Sequence, residues 1–239
     1  MKKILSMACA LLLGAAAQAQ IVTSTSRSIT REKVKTNTTH YVRVGLNFMN
    51  VAGDDAKELD GKVGYDLSWG FQKTLGGKGA YWGMEGGLSS RGYSMKDEGS
   101  SWEPYYNPYN PGSGHYVSEK EEEKMIAHNI YYVPFQFGWR FDLGHNISVD
   151  PHIGTFISFD YAGKSKYTYT RDGEEEDNES YSLGDLDGWQ RVDAGLKFGV
   201  GAWYKNFNLD LSYQRGFISA IEDCDAYTSN FQLRLGYAF

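Results

Sequence analysis

From Tyr41 onward the chain alternates apolar and polar residues with a period of two, which marks strands with one oily face and one polar face. The first run sets Val42, Val44, Leu46 and Phe48 against Tyr41, Arg43, Gly45 and Asn47. In the second, Val63, Tyr65, Leu67, Trp69 and Phe71 oppose Gly64, Asp66, Ser68, Gly70 and Gln72. Six more runs follow at 80–93, 131–141, 147–161, 192–200, 207–213 and 231–239. Read straight through, the 131–141 run puts Tyr131, Val133, Phe135, Phe137 and Trp139 on the oily face, and Tyr132, Pro134 and Gln136 on the other. Eight strands, an even number, are what a single-chain closed barrel requires.

The gaps between runs carry the topology. Residues 74–79, 142–146 and 204–206 are short, whereas 50–61, 94–124, 162–188 and 218–228 are long. Short and long gaps alternate, so all tight turns fall at one end and all long loops at the other. The expected fold is therefore all-β: an eight-stranded antiparallel up-and-down transmembrane β-barrel with short periplasmic turns and long extracellular loops.

A soluble lipocalin-like binding barrel shares the periodicity, so the faces must decide between them. Glycine makes up 28 of 239 residues, and the glycines within the runs sit mainly on the charged face, at positions such as 45, 64, 70, 87, 138, 154 and 199. Small residues are needed where side chains converge inside a narrow barrel, and nothing requires them on a soluble outer surface. The same face carries Arg43, Arg91, Arg140, Arg191, Lys197 and Arg234 against Asp66, Glu85, Asp150, Asp160, Asp193 and Asp210. Six charges of each sign suit a lumen in which an unpaired ion is costly, and these twelve form the expected lumen network. Aromatics gather at the short-turn end: Trp69, Phe71, Tyr81, Trp82, Trp139, Phe141, Trp203, Tyr204, Phe207, Tyr237 and Phe239 read as an interfacial girdle. A looser set, Tyr93, Tyr161, Trp189 and Phe217, marks the opposite end.

Composition narrows the class further. The net charge of −6 excludes a nucleic-acid partner, which would want a basic field. Lys2 and Lys3, the apolar stretch from Ile4 to Ala17 and Ala17-Gln18-Ala19 read as a signal peptide over residues 1–19, cleaved near Ala19. Residues 20–39, rich in Ser and Thr, read as a loose or extended periplasmic lead-in, and 40–239 as the outer-membrane β-barrel domain. Cleavage removes Cys9 and leaves Cys224 alone, so no internal disulfide or thiolate metal cluster is expected.

The last segment, Asn230-Phe-Gln-Leu-Arg-Leu-Gly-Tyr-Ala-Phe239, resembles the terminal recognition strand of outer-membrane proteins. Together with Gly86-Gly-Leu-Ser-Ser-Arg-Gly92, Tyr132-Val-Pro-Phe135 and Tyr213-Gln-Arg-Gly216, it makes the chain from about Tyr41 to Phe239 resemble the PorT-like small outer-membrane β-barrel family. The resemblance implies an eight-stranded barrel akin to the OmpA transmembrane domain. It also implies insertion by the barrel-assembly machinery, an outer-membrane lipid environment in a Gram-negative bacterium, and no enzymatic activity assigned by motif.

Candidate chemistry lies in the loops. Trp102, Tyr105, Tyr106, Tyr109 and Tyr116, set among Pro and Gly, offer stacking surfaces for a surface protein or glycan ligand. The charged run Glu119–Lys124 reads as a solvated extension of a strand. In the third loop Asp172, Glu174, Glu175, Glu176, Asp177 and Glu179 match no defined calcium loop and read as a solvated acidic tip, so neither metal nor cofactor is expected. His115, Ser118 and His128 supply nucleophile and base types, but no G-x-S-x-G, H-E-x-x-H or P-loop motif accompanies them. The reading is a non-enzymatic outer-membrane barrel, structural or surface-binding through its loops. A small porin-like channel, a barrel enzyme acting on lipid or peptide, and the lipocalin-like barrel are the alternatives.

Overall fold

The computed structural model describes residues 37–76, 78–104, 109, 114–186 and 188–239. Eight long antiparallel staves follow one another in chain order: β1 (Thr38–Met49), β2 (Lys62–Thr74), β3 (Ala80–Pro104), β4 (Gly114–Trp139), β5 (Ile147–Arg171), β6 (Val192–Tyr204), β7 (Phe207–Ser219) and β8 (Tyr227–Ala238). Each pairs with its sequence neighbours, and β1 pairs with β8 from Tyr41↔Ala238 to Phe48↔Phe231. That last pairing closes the ring, so the barrel proper presents no free edge.

The two faces of the wall are inverted relative to a soluble protein. Val42, Val44, Leu67, Ile157, Phe198, Leu211 and Leu235 point outward and stay exposed, Leu67 at 50%, while Arg43, Asp66, Glu85, Lys197, Asp210 and Arg234 are buried. A soluble barrel would place an oily band this wide in water, so the outer face is the lipid-facing surface. Two glycines show how the interior is accommodated. A Cβ on Gly70 would lie 2.5 Å from the Tyr41 hydroxyl, and one on Gly138 would lie 2.4 Å from the Tyr81 ring. Tyrosines cross the lumen where these glycines leave room.

The structure corrects the sequence reading at three places. Pro134 has no amide hydrogen for the ladder, and both registers of β4 shift around it, between Tyr132 and Phe135 toward β5 and opposite Gly83 and Glu85 on β3. The bulge reverses the alternation: Tyr131 and Val133 face the lumen, Tyr132 faces out, and Phe135 and Phe137 still face out. Second, Tyr81 and Trp203 leave the expected girdle and point inward, and at the other end Tyr93 is buried too. Third, most of 94–124 and 162–188 is strand: β3, β4 and β5 run for 25, 26 and 25 residues, against 12 or 13 in the other staves. The charged run 119–124 continues β4, paired to Gly99–Ser94 of β3.

The surplus of about twelve residues carries these strands roughly 40 Å beyond the wall along the strand direction. A further strand, Glu174–Ser182, folds back onto β5, so the projection is a four-stranded sheet. The lipid-facing assignment makes a direct prediction. Leu67→Lys puts a cation on the outward face near the middle of β2, so the variant loses about 2–4 kcal/mol of stability in lipid. Reversible denaturant unfolding in vesicles checks it, and an unchanged midpoint would mean that this face does not meet hydrocarbon.

Candidate functional site

Inside the wall, alternation aims one side chain in two at the axis, and the charged residues meet in three layers. In the middle layer the Glu85 carboxylate accepts from Arg43 Nη1 at 2.7 Å, Lys197 Nζ at 2.6 Å and Arg234 Nη1 at 2.6 Å, and from the Tyr41 hydroxyl at 3.2 Å. Arg234 also donates to Asp210, at 3.0 Å from Nε and 2.5 Å from Nη2, and lies 3.5 Å from Asp66. Three cations therefore face three carboxylates, Glu85, Asp66 and Asp210, all of them buried. His152 sits beside them with Nε2 3.5 Å from Asp210.

Toward the periplasm, Asp150 accepts from Trp203 Nε1 at 2.8 Å and the Tyr81 hydroxyl at 3.3 Å, with Arg140 at 3.4 Å. Arg140 lies over the Trp203 ring, 4.2 Å from its centroid. Its side chain is 31% exposed, because it stands at the mouth beside a cavity of about 500 Å3 lined by Gln72, Tyr81 and Trp139. Toward the outside, Arg91 Nε donates to both Asp160 oxygens at 2.9 and 2.8 Å, Trp189 Nε1 donates to Asp160 at 2.7 Å, and Asp193 lies 3.6 Å from Arg91. Eleven of the twelve expected lumen charges thus meet in the barrel. Arg191 does not: it precedes β6, is exposed, and donates to the Leu183 carbonyl at 3.2 Å. Its odd position has lumen parity, but parity has no meaning outside a strand.

Above the Arg91 layer the loops build an apolar cluster that periodicity could not disclose. Val51 and Ala56 from the first loop, Leu183 from the third and Ala226 from the fourth pack on Tyr93, Met125 and Ala127, with Trp189 and Ile221 against them. Hydrogen bonds hold the loops together: the Gln190 amide donates to the Ala220 carbonyl at 2.9 Å, and the Asp225 amide to the Asp55 carboxylate at 2.7 Å. Charged layers line the interior, and this cluster packs above the outermost of them.

At the far end of the projecting sheet, Trp102 and Tyr116 pair across β3 and β4 with ring centroids 5.1 Å apart, edge to face. Both remain exposed, and Tyr109 at the tip is 95% exposed. Tyr105 and Tyr106 lie outside the described residues. Of the hydrolase candidates, His115 and Ser118 lie three residues apart on β4, and His128 stands away from both. Ser118 and His128 are ten residues apart on one extended strand, on the order of 33 Å, and His128 Nδ1 lies 3.1 Å from the Tyr65 hydroxyl on the outer face. Among the described residues no group of three or more His, Cys, Asp or Glu could hold a metal.

The middle layer predicts a steep asymmetry between two charge removals. Glu85→Gln leaves three buried cations short of their shared anion and costs about 3–5 kcal/mol. Arg191→Gln, at an exposed site, stays within about 0.5 kcal/mol. Unfolding midpoints in vesicles of fixed composition compare them, and equal effects would contradict the shared-anion geometry.

Residues 19–222 match the family described as outer membrane protein β-barrel domain. No curated protein matches the chain significantly. Among solved structures, the chain is similar to Ail, the attachment invasion locus protein of Yersinia pestis, crystallised with the heparin analogue sucrose octasulfate, at 15% identity over 85% of this chain and 99% of that one, TM-score 0.33. Neisserial surface protein A is 12% identical over 84% and 97%, TM-score 0.39. OprG from Pseudomonas aeruginosa is 12% identical over 85% and 97%, TM-score 0.33. With most of its length matched by the family and an outward apolar wall closed around paired charges, the chain belongs to the outer membrane protein β-barrel domain family.

Proposed function

We propose that the protein is a non-conducting, non-enzymatic surface barrel that binds a protein or glycan through its projecting sheet. The observation that carries this reading is the continued pairing of β3 and β4 above the wall, ending on the exposed Trp102–Tyr116 pair. A loop that only closes a hairpin needs two to five residues. A sheet this long costs conformational entropy that a structural plug would not require. Rigid aromatics at its end supply contact area at small entropic cost.

The interior supports the non-conducting part. An eight-stranded lumen is just wide enough for its own side chains, and here paired ions occupy it below an apolar cover. The dispersed Ser118 and His128 support a binding role over catalysis. Export with cleavage near Ala19, a lead-in over 20–39, insertion by the barrel-assembly machinery and placement among PorT-like barrels belong to the same proposal, on the motifs quoted above.

Deletion of residues 102–116 is expected to leave the heat-modifiable mobility of a folded barrel intact in detergent gels and to abolish binding of intact cells to a surface-protein and glycan panel. Binding that survives the deletion would remove the tip from consideration. Steady single-channel currents from the purified wild type in planar bilayers would replace this reading with a channel.

A further inference from the structure

Cross-strand pairing carries the two faces of the wall into the projecting sheet, across a bulge at Tyr161 that shifts the parity of β5 by one residue. On the face that continues the lumen side, Glu123 accepts from the Tyr93 hydroxyl at 3.1 Å and the Ser165 hydroxyl at 2.9 Å. The opposite face continues the lipid side. There Lys124, Lys164 and Lys166 are exposed and alternate with buried Met125 and Ser165. In register, Lys124 stands directly opposite Lys166, and Lys164 stands opposite Ile126, the next outward residue below Lys124. Lys96 on β3 lies opposite Glu122, the outward residue above Lys124.

Two features of this cluster call for an external anion. Like charges directly opposite each other on neighbouring strands are unfavourable, yet β4 and β5 place two ammonium groups in that relation. The single carboxylate among them, Glu122, is already engaged by Lys124 at 2.8 Å and Lys96 at 3.7 Å. The hydrogen bond from Lys124 holds its carboxyl below the ordinary carboxylate range. No ion pair reaches Lys164 or Lys166 among the described residues. Lys62 stands close enough to interact with Lys124 and Glu122, and Lys120, which pairs with Glu98 at 3.2 Å, also acts on Glu122, so the cluster keeps a surplus of positive charge.

Height identifies the partner. On the same outward face, the aromatic rim formed by Tyr65, His128 and Tyr161 lies just below the cluster, with the Tyr65 and His128 rings stacked at 5.8 Å and His128 and Tyr161 at 6.5 Å. Lys124 is four residues above His128, roughly 13 Å along the strand. Strand tilt brings that to about 10 Å in height above the rim. Ammonium groups on a lipid-facing wall just above its aromatic rim stand where headgroup phosphates of the outer leaflet lie.

We infer that Lys124, Lys164 and Lys166 form a docking surface for the phosphate groups of an outer-leaflet glycolipid, continuous with the apolar wall that its acyl chains cover. This site is independent of whatever the sheet tip binds. Lysine suits it as a compact, flexible point charge that follows a mobile phosphate.

The test uses the full chain in phosphatidylcholine nanodiscs titrated with a phosphorylated lipid A-type glycolipid or with its dephosphorylated form. The wild type is expected to prefer the phosphorylated lipid. Replacing all three lysines (K124Q, K164Q and K166Q together) weakens that binding about fivefold per lysine, on the order of 100-fold. The periplasmic-turn variant K78Q/K205Q, which removes two lysines from the opposite end of the barrel, keeps wild-type affinity. Glu122→Gln, which frees Lys124 and Lys96, binds more tightly and keeps the idea testable if the triple variant does not fold. Unchanged affinity in the triple variant, an equal loss in K78Q/K205Q, equal binding of the dephosphorylated lipid, weaker binding by Glu122→Gln, or full displacement by inorganic phosphate would each overturn the inference.

Discussion

Everything in this barrel depends on the neutralisation of charge around Glu85. A wall that turns its apolar residues outward must turn its polar ones into a space too narrow for bulk water, and ions placed there are tolerable only when paired. Glu85 accepts from Arg43, Lys197 and Arg234, each on a different stave, so one carboxylate ties β1, β6 and β8 to β3 across the lumen. Asp210 and Asp66 complete the balance from β7 and β2. A register slip of one residue would carry every one of these groups into hydrocarbon, so the network and the closure of the sheet specify each other.

The consequence for function is geometric. Paired charges line the interior, and residues of the first, third and fourth loops pack together above them. In the function proposed above, binding falls to the strands that outrun the wall. Those strands carry the barrel's two-sidedness upward, with carboxylates and tyrosines such as Glu123 and Tyr93 above the lumen and lysines above the lipid face. One alternation, read at different heights, thus serves three environments: hydrocarbon, the headgroup layer and water.

Period-two patterning in the sequence determined the number of staves, their order and the face each one gives to lipid, because alternation in an extended chain is a local property that a membrane wall enforces residue by residue. Most of the lumen charges were legible for the same reason: Arg43, Asp66, Glu85, Lys197, Asp210 and Arg234 each stand on the polar side of their own alternating run. What escaped was decided by contacts between distant segments. Which cations meet Glu85, the convergence of Tyr81 and Trp203 on Asp150, and the apolar cluster built from three loops all require the closed ring before the partners exist. Pro134 shifts the face of Tyr131–Val133 through a bulge whose effect is defined only by the neighbouring strands. Apart from the strand extension at 119–124, the polar stretches beyond the wall read as loops because their sequence lacks an oily face. The tertiary structure shows them as strands, since cross-strand pairing that continues an existing hairpin imposes extended backbone whatever the side chains prefer.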